Sequence, residues 1–214
     1  MTANTSTRTR PEKRTQAERS AETQNKILEA AVACFSDAGL QNSSTHDVAE
    51  RAGVSRGAML HHFPTRTDLL NAAFAHLLER EIEDLSKFSR RISDDGAAMG
   101  DLLRYIWSKY EGPLFTVTLD YLALGRIDAE VMAVIEPTAG RFNTQLEDLW
   151  VKCLGKLSFP EEAKKDSMAR TMLLIRGMAF QNVWRQDLPY FRSQLEGRIR
   201  ELETRFGLIP QTKD

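Results

Sequence analysis

The sequence has little of what marks disulfide-rich, membrane-spanning or metal-binding proteins. Its 214 residues include 2 cysteines and 4 histidines, and none of them stands in the spacing of a zinc site or a disulfide framework. No run approaches the roughly 18 consecutive apolar residues of a membrane span, and the first residues lack the apolar core of a secretory signal. We therefore expect a cytoplasmic protein without a membrane partner, a metal site or a cofactor, in which Cys34 and Cys153 fill the core.

Motifs of common enzyme chemistry are scarce as well. The sequence has no phosphate-binding P-loop and no HExxH metalloprotease pattern. His61 and His62 are adjacent, but neighbours on a helix point about 100° apart, so this pair cannot chelate one ion. We predict that the chain is not an enzyme.

The N-terminal residues combine basic charge with an absence of apolar periodicity. The formal net charge of the chain is −1, yet basic residues crowd into its start: Arg8, Arg10, Lys13, Arg14 and Arg19. A segment with so few apolar residues buries no core and is expected to be disordered. We predict a disordered basic arm over residues 1–18, which is either a solvated terminus or an arm that contacts DNA phosphates.

Apolar residues then recur at helical spacing. Steps of three and four residues predict a first helix over about 20–38, and Gly39 follows where a helix C-cap glycine belongs. Two short helices are predicted at 45–52 and 55–62, and Gly53 gives the backbone freedom for the tight turn between them.

Helices are also predicted for the rest of the chain. A helix over about 65–88 connects the two halves, and a loop is expected over 93–100. Further helices, separated by glycine and proline positions, are predicted at about 99–110, 113–124, 128–135, 137–155, 160–185 and 188–206. Since no β-hairpin signal or internal repeat occurs, we predict an all-α protein. It divides into the arm, a three-helix helix-turn-helix domain over 19–66, a helical effector-binding and dimerisation domain over 67–208, and a tail over 209–214.

The two short helices have the properties of a DNA-reading helix-turn-helix. This motif needs a scaffold helix, a tight turn and a second helix whose outer face fits the major groove. Ser55 can cap the second helix, and Arg56, Gly57, Leu60 and His61 share one of its faces at about 100° per residue. The predicted DNA-binding residues are Thr45, His46, Ser55, Arg56, Gly57, Leu60, His61, His62 and Arg66.

The candidates differ in the contacts they offer. Arg56 can donate two parallel hydrogen bonds to guanine, a contact worth about 1–3 kcal/mol of base discrimination. His61 can reach a base edge or a phosphate from the same face. Thr45 and His46 lie in the first turn of the scaffold helix, where backbone N–H groups favour a phosphate. Arg66 begins the next helix and is predicted to clamp the DNA backbone.

A family resemblance is carried by the run VAERAGVSRGAMLHHF at 48–63 and by PTRTDLL at 64–70. These residues resemble the DNA-binding signature of the TetR family of repressors, and the likeness is dense over about residues 20–75. The resemblance implies an Ω-shaped homodimer that binds double-stranded DNA at a palindromic operator and is released by a small-molecule effector. Leu60 is a departure, because family members usually carry a phosphate-contacting tyrosine there; Leu60 can instead touch a thymine methyl group.

Aromatic and methionine side chains of the second half are candidates for an effector pocket, since such pockets are mostly apolar with a few polar groups. At helical spacing the same side chains also serve as ordinary core. Arg176 lies in an apolar run and must be paired if buried. Its partner is either a ligand carboxylate or an acidic side chain of its own domain or of a second copy, and we favour the internal pair. The candidate effector-binding residues are Trp107, Tyr110, Phe115, Tyr121, Phe142, Met172, Arg176 and Phe180.

The resemblance also implies that the last two long helices form a four-helix interface with a second copy. Two apolar stripes are predicted to form it: Met168, Met172, Ile175, Ala179 and Val183 on one helix, and Leu195, Ile199, Leu202 and Phe206 on the other. An alternative is a DNA-binding regulator that is controlled by a protein partner and has no small-molecule pocket.

Overall fold

The computed structural model describes residues 15–91, 98–155 and 159–208. These residues form nine α-helices and no strand, which confirms the predicted all-α class. The helices are α1 Gln16–Ala38, α2 Thr45–Ala52, α3 Arg56–His62, α4 Arg66–Arg91, α5 Ala98–Tyr110, α6 Pro113–Gly125, α7 Ala129–Cys153, α8 Glu161–Arg185 and α9 Leu188–Phe206. Within the described ranges no helix is both long enough and apolar enough to cross a membrane.

Helix α1 begins earlier than its apolar pattern predicts. Thr15 and Glu18 form a capping box, in which the Thr15 hydroxyl accepts a 3.2 Å hydrogen bond from the Glu18 N–H and the Glu18 carboxylate accepts a 2.7 Å bond from the Thr15 N–H. This cap satisfies N–H groups at the helix start and needs no apolar face. Residues 16–18 are therefore helical rather than part of an arm; residues 1–14 and the predicted tail at 209–214 lie outside the described residues.

Helix α7 runs through Pro137, where the sequence predicts a break between two helices. Proline removes one backbone hydrogen bond and disfavours a helical residue before it. The helix nevertheless continues, because it buries Val131 and Ile135 before the proline and Leu146 and Trp150 after it. Packing on both sides outweighs the local cost, as tertiary contacts often override propensity.

Two hydrophobic cores hold the helices together. The first joins α1–α3 and the first half of α4 with residues of α6 and α7, including Leu114, Tyr121 and Ile135. The second joins the end of α4 with α5, the second half of α7, α8 and α9, and it contains Trp107 and Trp150. The first core thus extends across the predicted boundary at residue 66, and α4 and α6 pack directly against α1 of the helix-turn-helix domain. Both cysteines are buried, Cys34 in the first core and Cys153 in the second.

The predicted dimer stripes on α8 and α9 are largely wrong. Most of their members are buried in the second core of the same chain: Met172, Ile175, Ala179, Leu195, Ile199, Leu202 and Phe206. Helix α8 is apolar on two sides, and periodicity alone does not tell which side faces inward. Its solvent-exposed apolar residues are Leu173, Leu174, Phe180, Val183 and Trp184, which we call the α8 outer face.

Replacing Pro137 tests whether packing carries α7 across this residue. We expect Pro137→Ala to raise the free energy of unfolding by about 1–3 kcal/mol, because alanine restores the missing N–H donor in the helix interior. Urea unfolding followed by circular dichroism measures the change. Gly140→Ala, at an exposed position of the same helix with open space around it, should give a gain of about 1 kcal/mol. A loss of stability in Pro137→Ala would contradict this account.

Candidate DNA-reading head and effector cavity

The turn between α2 and α3 is built by local hydrogen bonds. Ser44 caps α2, since its hydroxyl accepts from the Asp47 N–H while the Asp47 carboxylate accepts from the Ser44 N–H at 2.8 Å. These bonds to Ser44 hold the pKa of Asp47 below its ordinary value. At the other end Gly53 adopts φ 66° and ψ 33°, and the Val54 N–H donates to the Ala49 carbonyl at 3.0 Å. This left-handed C-cap ends α2 and turns the chain into α3.

Helix α3 divides into an inner and an outer face. Ser55 caps it, and its hydroxyl accepts from the Ala58 N–H at 3.1 Å. Met59 is buried beside Val48 and Ala49 of α2, which locks the angle between the two helices. The predicted reading residues lie on the solvent side, since all of the following are exposed: Arg56, Gly57, Leu60 and His61.

The outer face of α3 is available to a partner. Arg56 forms no hydrogen bond or ion pair with any residue that the structure describes. The space around Gly57 is open, since the Ser55 hydroxyl, at 3.9 Å, is the one group of another described side chain near the position that a Cβ would take. Leu60 is 43% exposed. His62 is partly buried, with its ring 5.5 Å from that of His61 and near Phe63, so it lies at the rim of this face.

The start of α2 offers a second surface. Thr45 is partly buried and His46 is exposed, and both lie in the first turn. The Asp47 N–H is already engaged by Ser44, so the N–H groups at Thr45 and His46 are the ones that a phosphate could use.

Arg66 has a different role from the predicted one. Its guanidinium donates hydrogen bonds to the backbone carbonyls of Leu40 and Ser43, in the segment between α1 and α2. These bonds turn the side chain toward its own domain, so the prediction of a DNA backbone clamp is corrected. The same segment is held from α6, because the Leu40 N–H donates to Asp120 Oδ2 at 3.0 Å. We call this arrangement of Leu40, Arg66 and Asp120 the Leu40 junction.

Gly39, the residue before Leu40, also lies close to Asp120. Gly39 ends α1 at φ 80° and ψ 158°, and its N–H donates to the Phe35 carbonyl at 3.0 Å. A Cβ at this residue would lie 3.3 Å from Asp120 Oδ2. A positive φ and this close approach both favour glycine.

Residues 53–57 read GVSRG and match the letters of the GxSxG nucleophile elbow of hydrolases. A nucleophile elbow follows a strand and exposes its serine. Here the segment follows helix α2, and the Ser55 hydroxyl caps α3. The match is therefore a coincidence of helix-turn-helix chemistry.

A cavity of about 380 Å³ lies between helices α4 to α8. Its wall is mainly apolar and aromatic, with contributions from Phe74, Leu78, Leu114, Phe115, Leu119, Leu122, Ile135, Ala139, Phe142 and Phe180. Four polar residues complete the wall: Tyr110, Thr118, Asn143 and Arg176. The Thr118 hydroxyl is buried and has no hydrogen-bond partner among the described residues. A mostly apolar cavity with a few polar groups is the usual form of a small-molecule site.

The predicted effector residues divide into two sets. Those that line the cavity are Tyr110, Phe115, Phe142, Arg176 and Phe180. Trp107, Tyr121 and Met172 do not line it, which corrects their assignment. Trp107 donates to Glu111 Oε1 at 2.9 Å within the second core, where Met172 is also buried. Tyr121 stacks behind Phe74 at 4.3 Å and donates to Asn71, and its burial raises the pKa of its hydroxyl.

Several residues of the cavity wall were not predicted from the sequence. Phe74 and Leu78 belong to the connecting helix α4, whose apolar stripe is equally explained by core packing. Thr118, Ala139 and Asn143 carry no sequence signal for a pocket, because their chemistry is common on any helix. Their role depends on which face α6 and α7 turn toward α4.

The family is decided by comparison with known proteins. The model for bacterial regulatory proteins of the tetR family matches residues 27–73. The HTH-type transcriptional regulator CymR of Pseudomonas putida is 30% identical over 181 residues, which cover 85% of this chain and 89% of CymR. The protein belongs to the TetR family. Its relatives are transcriptional regulators and not enzymes, as the sequence predicts.

Solved structures share the fold of this TetR-family protein. A transcriptional regulator from Saccharomonospora viridis in complex with choline has a TM-score of 0.68 at 18% identity. The matched region covers 84% of this chain and 96% of that regulator. FadR from Bacillus subtilis in complex with stearoyl-CoA has a TM-score of 0.63 at 17% identity, with coverages of 83% and 96%. At such identities the likeness shows the fold.

The different positions of Arg56 and Arg66 predict different effects on DNA binding. We expect Arg56→Ala to weaken binding to an operator selected from random DNA by about 1–3 kcal/mol, with a small effect on unselected DNA. Arg56→Lys should show the same loss of discrimination while it keeps the charge. Titration by fluorescence anisotropy on both DNAs measures the difference, and an equal loss on both would contradict base reading by Arg56.

Arg66→Ala should instead lower the free energy of unfolding by about 1–3 kcal/mol, because two backbone carbonyls lose their donor. The salt dependence of DNA binding should stay unchanged. A smaller dependence of log Kd on log salt concentration in this variant would instead support the phosphate contact that was first predicted for Arg66.

Proposed function

We propose that this protein is a repressor that leaves its operator when a small molecule occupies the cavity between α4 and α8. The observation that carries this proposal is that helix α6 belongs to both sites. Leu114, Phe115 and Thr118 line the cavity. Asp120 of the same helix holds the Leu40 N–H between α1 and α2, and we call helices α1–α3 with their connections the reading head.

Helix α4 provides a second connection of the same kind. Phe74 and Leu78 line the cavity, and Arg66 at the start of this helix holds the carbonyls of Leu40 and Ser43. A ligand that separates α4 from α6 would therefore pull on Leu40 from two sides. A coupling of about 1–3 kcal/mol would change operator affinity roughly 5- to 150-fold.

The cavity itself favours control by a small molecule over control by a protein partner. Its volume of about 380 Å³ lies in the range of small-molecule sites. The buried Thr118 hydroxyl lacks a partner, which costs about 1–3 kcal/mol unless a bound group supplies one. Two proteins of the same fold hold small molecules, choline in one and stearoyl-CoA in the other.

We further propose a homodimer formed through the α8 outer face. At about 100° per residue, Leu173, Gly177, Phe180 and Trp184 lie on one stripe of α8. Apart from the backbone of α8 and the two neighbouring residues, no described atom lies within 4 Å of the position that a Cβ would take on Gly177. A second helix therefore has room to approach closely. An exposed apolar stripe of this length marks an interaction surface, and a two-fold dimer places two reading helices about 34–36 Å apart for a palindromic operator.

A charge on the α8 outer face tests the dimer. Trp184 is 65% exposed in the single chain. We expect Trp184→Glu to convert the dimer, of twice 24.3 kDa, into a monomer of 24.3 kDa and to abolish operator binding. Light scattering after size exclusion measures the mass. Ile127→Glu is the matched control, because Ile127 is 73% exposed in the turn after α6. A dimer that survives Trp184→Glu would place the interface elsewhere.

Asp120 tests the path from cavity to DNA. With an effector found by thermal-shift screening of a metabolite library, we expect Asp120→Ala to bind both effector and operator. In this variant the effector should no longer lower the operator affinity, because α6 no longer holds Leu40. Asp120→Asn keeps an acceptor oxygen and should restore the response. Calorimetry and gel retardation measure the two bindings.

Glu136→Ala, which removes an exposed carboxylate from α7, is the control and should respond like the unmodified protein. A full response in Asp120→Ala would refute the role of this path. If no library compound shifted the melting temperature or released the operator, the protein-partner alternative would be favoured.

A further inference from the structure

Arg176 is solvent-exposed at the edge of the cavity wall, and none of the described carboxylates balances its positive charge. Its Nε donates to the Tyr110 hydroxyl at 3.1 Å and its Nη2 donates to Asn143 Oδ1 at 3.0 Å. Both acceptors are neutral, and no acidic side chain of the described ranges forms an ion pair with Arg176. The internal ion pair favoured by the sequence analysis is therefore corrected.

The two neutral partners fix the guanidinium in place. Tyr110 comes from α5, Asn143 from α7 and Arg176 from α8, so three helices meet at this group. Since the Tyr110 hydroxyl accepts from Arg176, its own proton remains free to donate, and the Asn143 amide also keeps its N–H donors. The cluster thus presents several donors and one full positive charge to the same end of the cavity.

The rest of the cavity wall is apolar and favours an apolar group of the ligand. Phe74, Phe115, Phe142 and Phe180 contribute aromatic surface, and aliphatic side chains fill the intervals. The volume of about 380 Å³ equals that of roughly a dozen water molecules in the liquid, at about 30 Å³ each. An occupant of this size is a small organic molecule.

We propose that the effector is a small amphipathic carboxylate, whose apolar and preferably aromatic body fills the cavity and whose carboxylate pairs with Arg176. This inference rests on the proposed function, because it names the ligand class of the same cavity. A planar guanidinium pairs with a carboxylate through two parallel hydrogen bonds. A cationic ligand would be repelled by Arg176, and a phosphate dianion would need more positive charge than this single group supplies.

The charge preference is testable with probes that share one apolar body. The probes are 4-phenylbutyrate, 4-phenylbutanamide, 4-phenylbutylamine and 3-phenylpropyl phosphate, titrated into the full chain by calorimetry at pH 7. We expect the carboxylate to bind about 10-fold or more tightly than the amide, and the amine and the phosphate to bind more weakly than the carboxylate. In Arg176→Gln the preference for carboxylate over amide should disappear, while the affinity for the amide stays within about twofold.

Arg170→Gln is the matched control, because it removes the same charge from the same helix at a residue paired with Asp166. It should keep the carboxylate preference, and melting curves without ligand verify that each variant is folded. The inference is overturned if the amide binds as well as the carboxylate, if the preference survives in Arg176→Gln, or if none of the probes binds at millimolar concentration. A phosphate that binds more tightly than the carboxylate would also overturn it.

These outcomes are separate from a failure of the proposed function. Binding is measured without DNA, so a lost charge preference leaves release by an uncharged effector possible. Conversely, a carboxylate that binds through Arg176 and leaves operator affinity unchanged would contradict the proposed release and support the ligand class.

Discussion

The arrangement of this molecule depends on how the chain is held at Leu40. One residue between α1 and α2 uses both of its backbone polar groups: the N–H donates to Asp120 and the carbonyl accepts from Arg66. Its side chain is buried in the first core. Because buried backbone groups must be paired, these bonds fix the reading head against α4 and α6.

The sharing of α6 follows from its composition. This helix is apolar around most of its circumference, so it packs on two sides at once. Val117 and Tyr121 belong to the first core, while Leu119 and Leu122 line the cavity. The aromatic stack of Tyr121 on Phe74 lies between these two environments. In the proposed release from DNA, a rigid helix with one face in each site would carry a displacement from the cavity to the reading head without unfolding.

The sequence predicted the helices, caps and turn of the reading head well because their signals are local. Ser44, Gly53 and Ser55 determine caps and a turn within a few residues, and the outward face of α3 follows from 100° per residue. Arg66 was misassigned because its partners, Leu40 and Ser43, lie more than 20 residues away. No local pattern shows that a guanidinium will turn toward its own domain.

The effector half was predicted less well for a related reason. Trp107, Tyr121 and Phe115 are all aromatic residues at helical spacing, but only Phe115 lines the cavity. Which of two apolar faces turns toward a cavity depends on neighbouring helices. The same ambiguity affected α8, whose inner stripe packs in the second core while Leu173 and Trp184 remain exposed. Pro137 shows the opposite case, in which a strong local signal is overridden by packing.

The folding of the reading head does not depend on the residues of the outer face of α3. Met59 supplies the contact with the core, and Ser55 and Gly53 supply the backbone geometry. Arg56, Leu60 and His61 are exposed and are absent from both cores. Substitutions at these three positions should therefore be nearly free of a stability penalty. If operator preference is read at these predicted DNA-contacting positions, it can change over evolution while the rest of the molecule stays constant, and relatives with the same head then recognise unrelated DNA sequences.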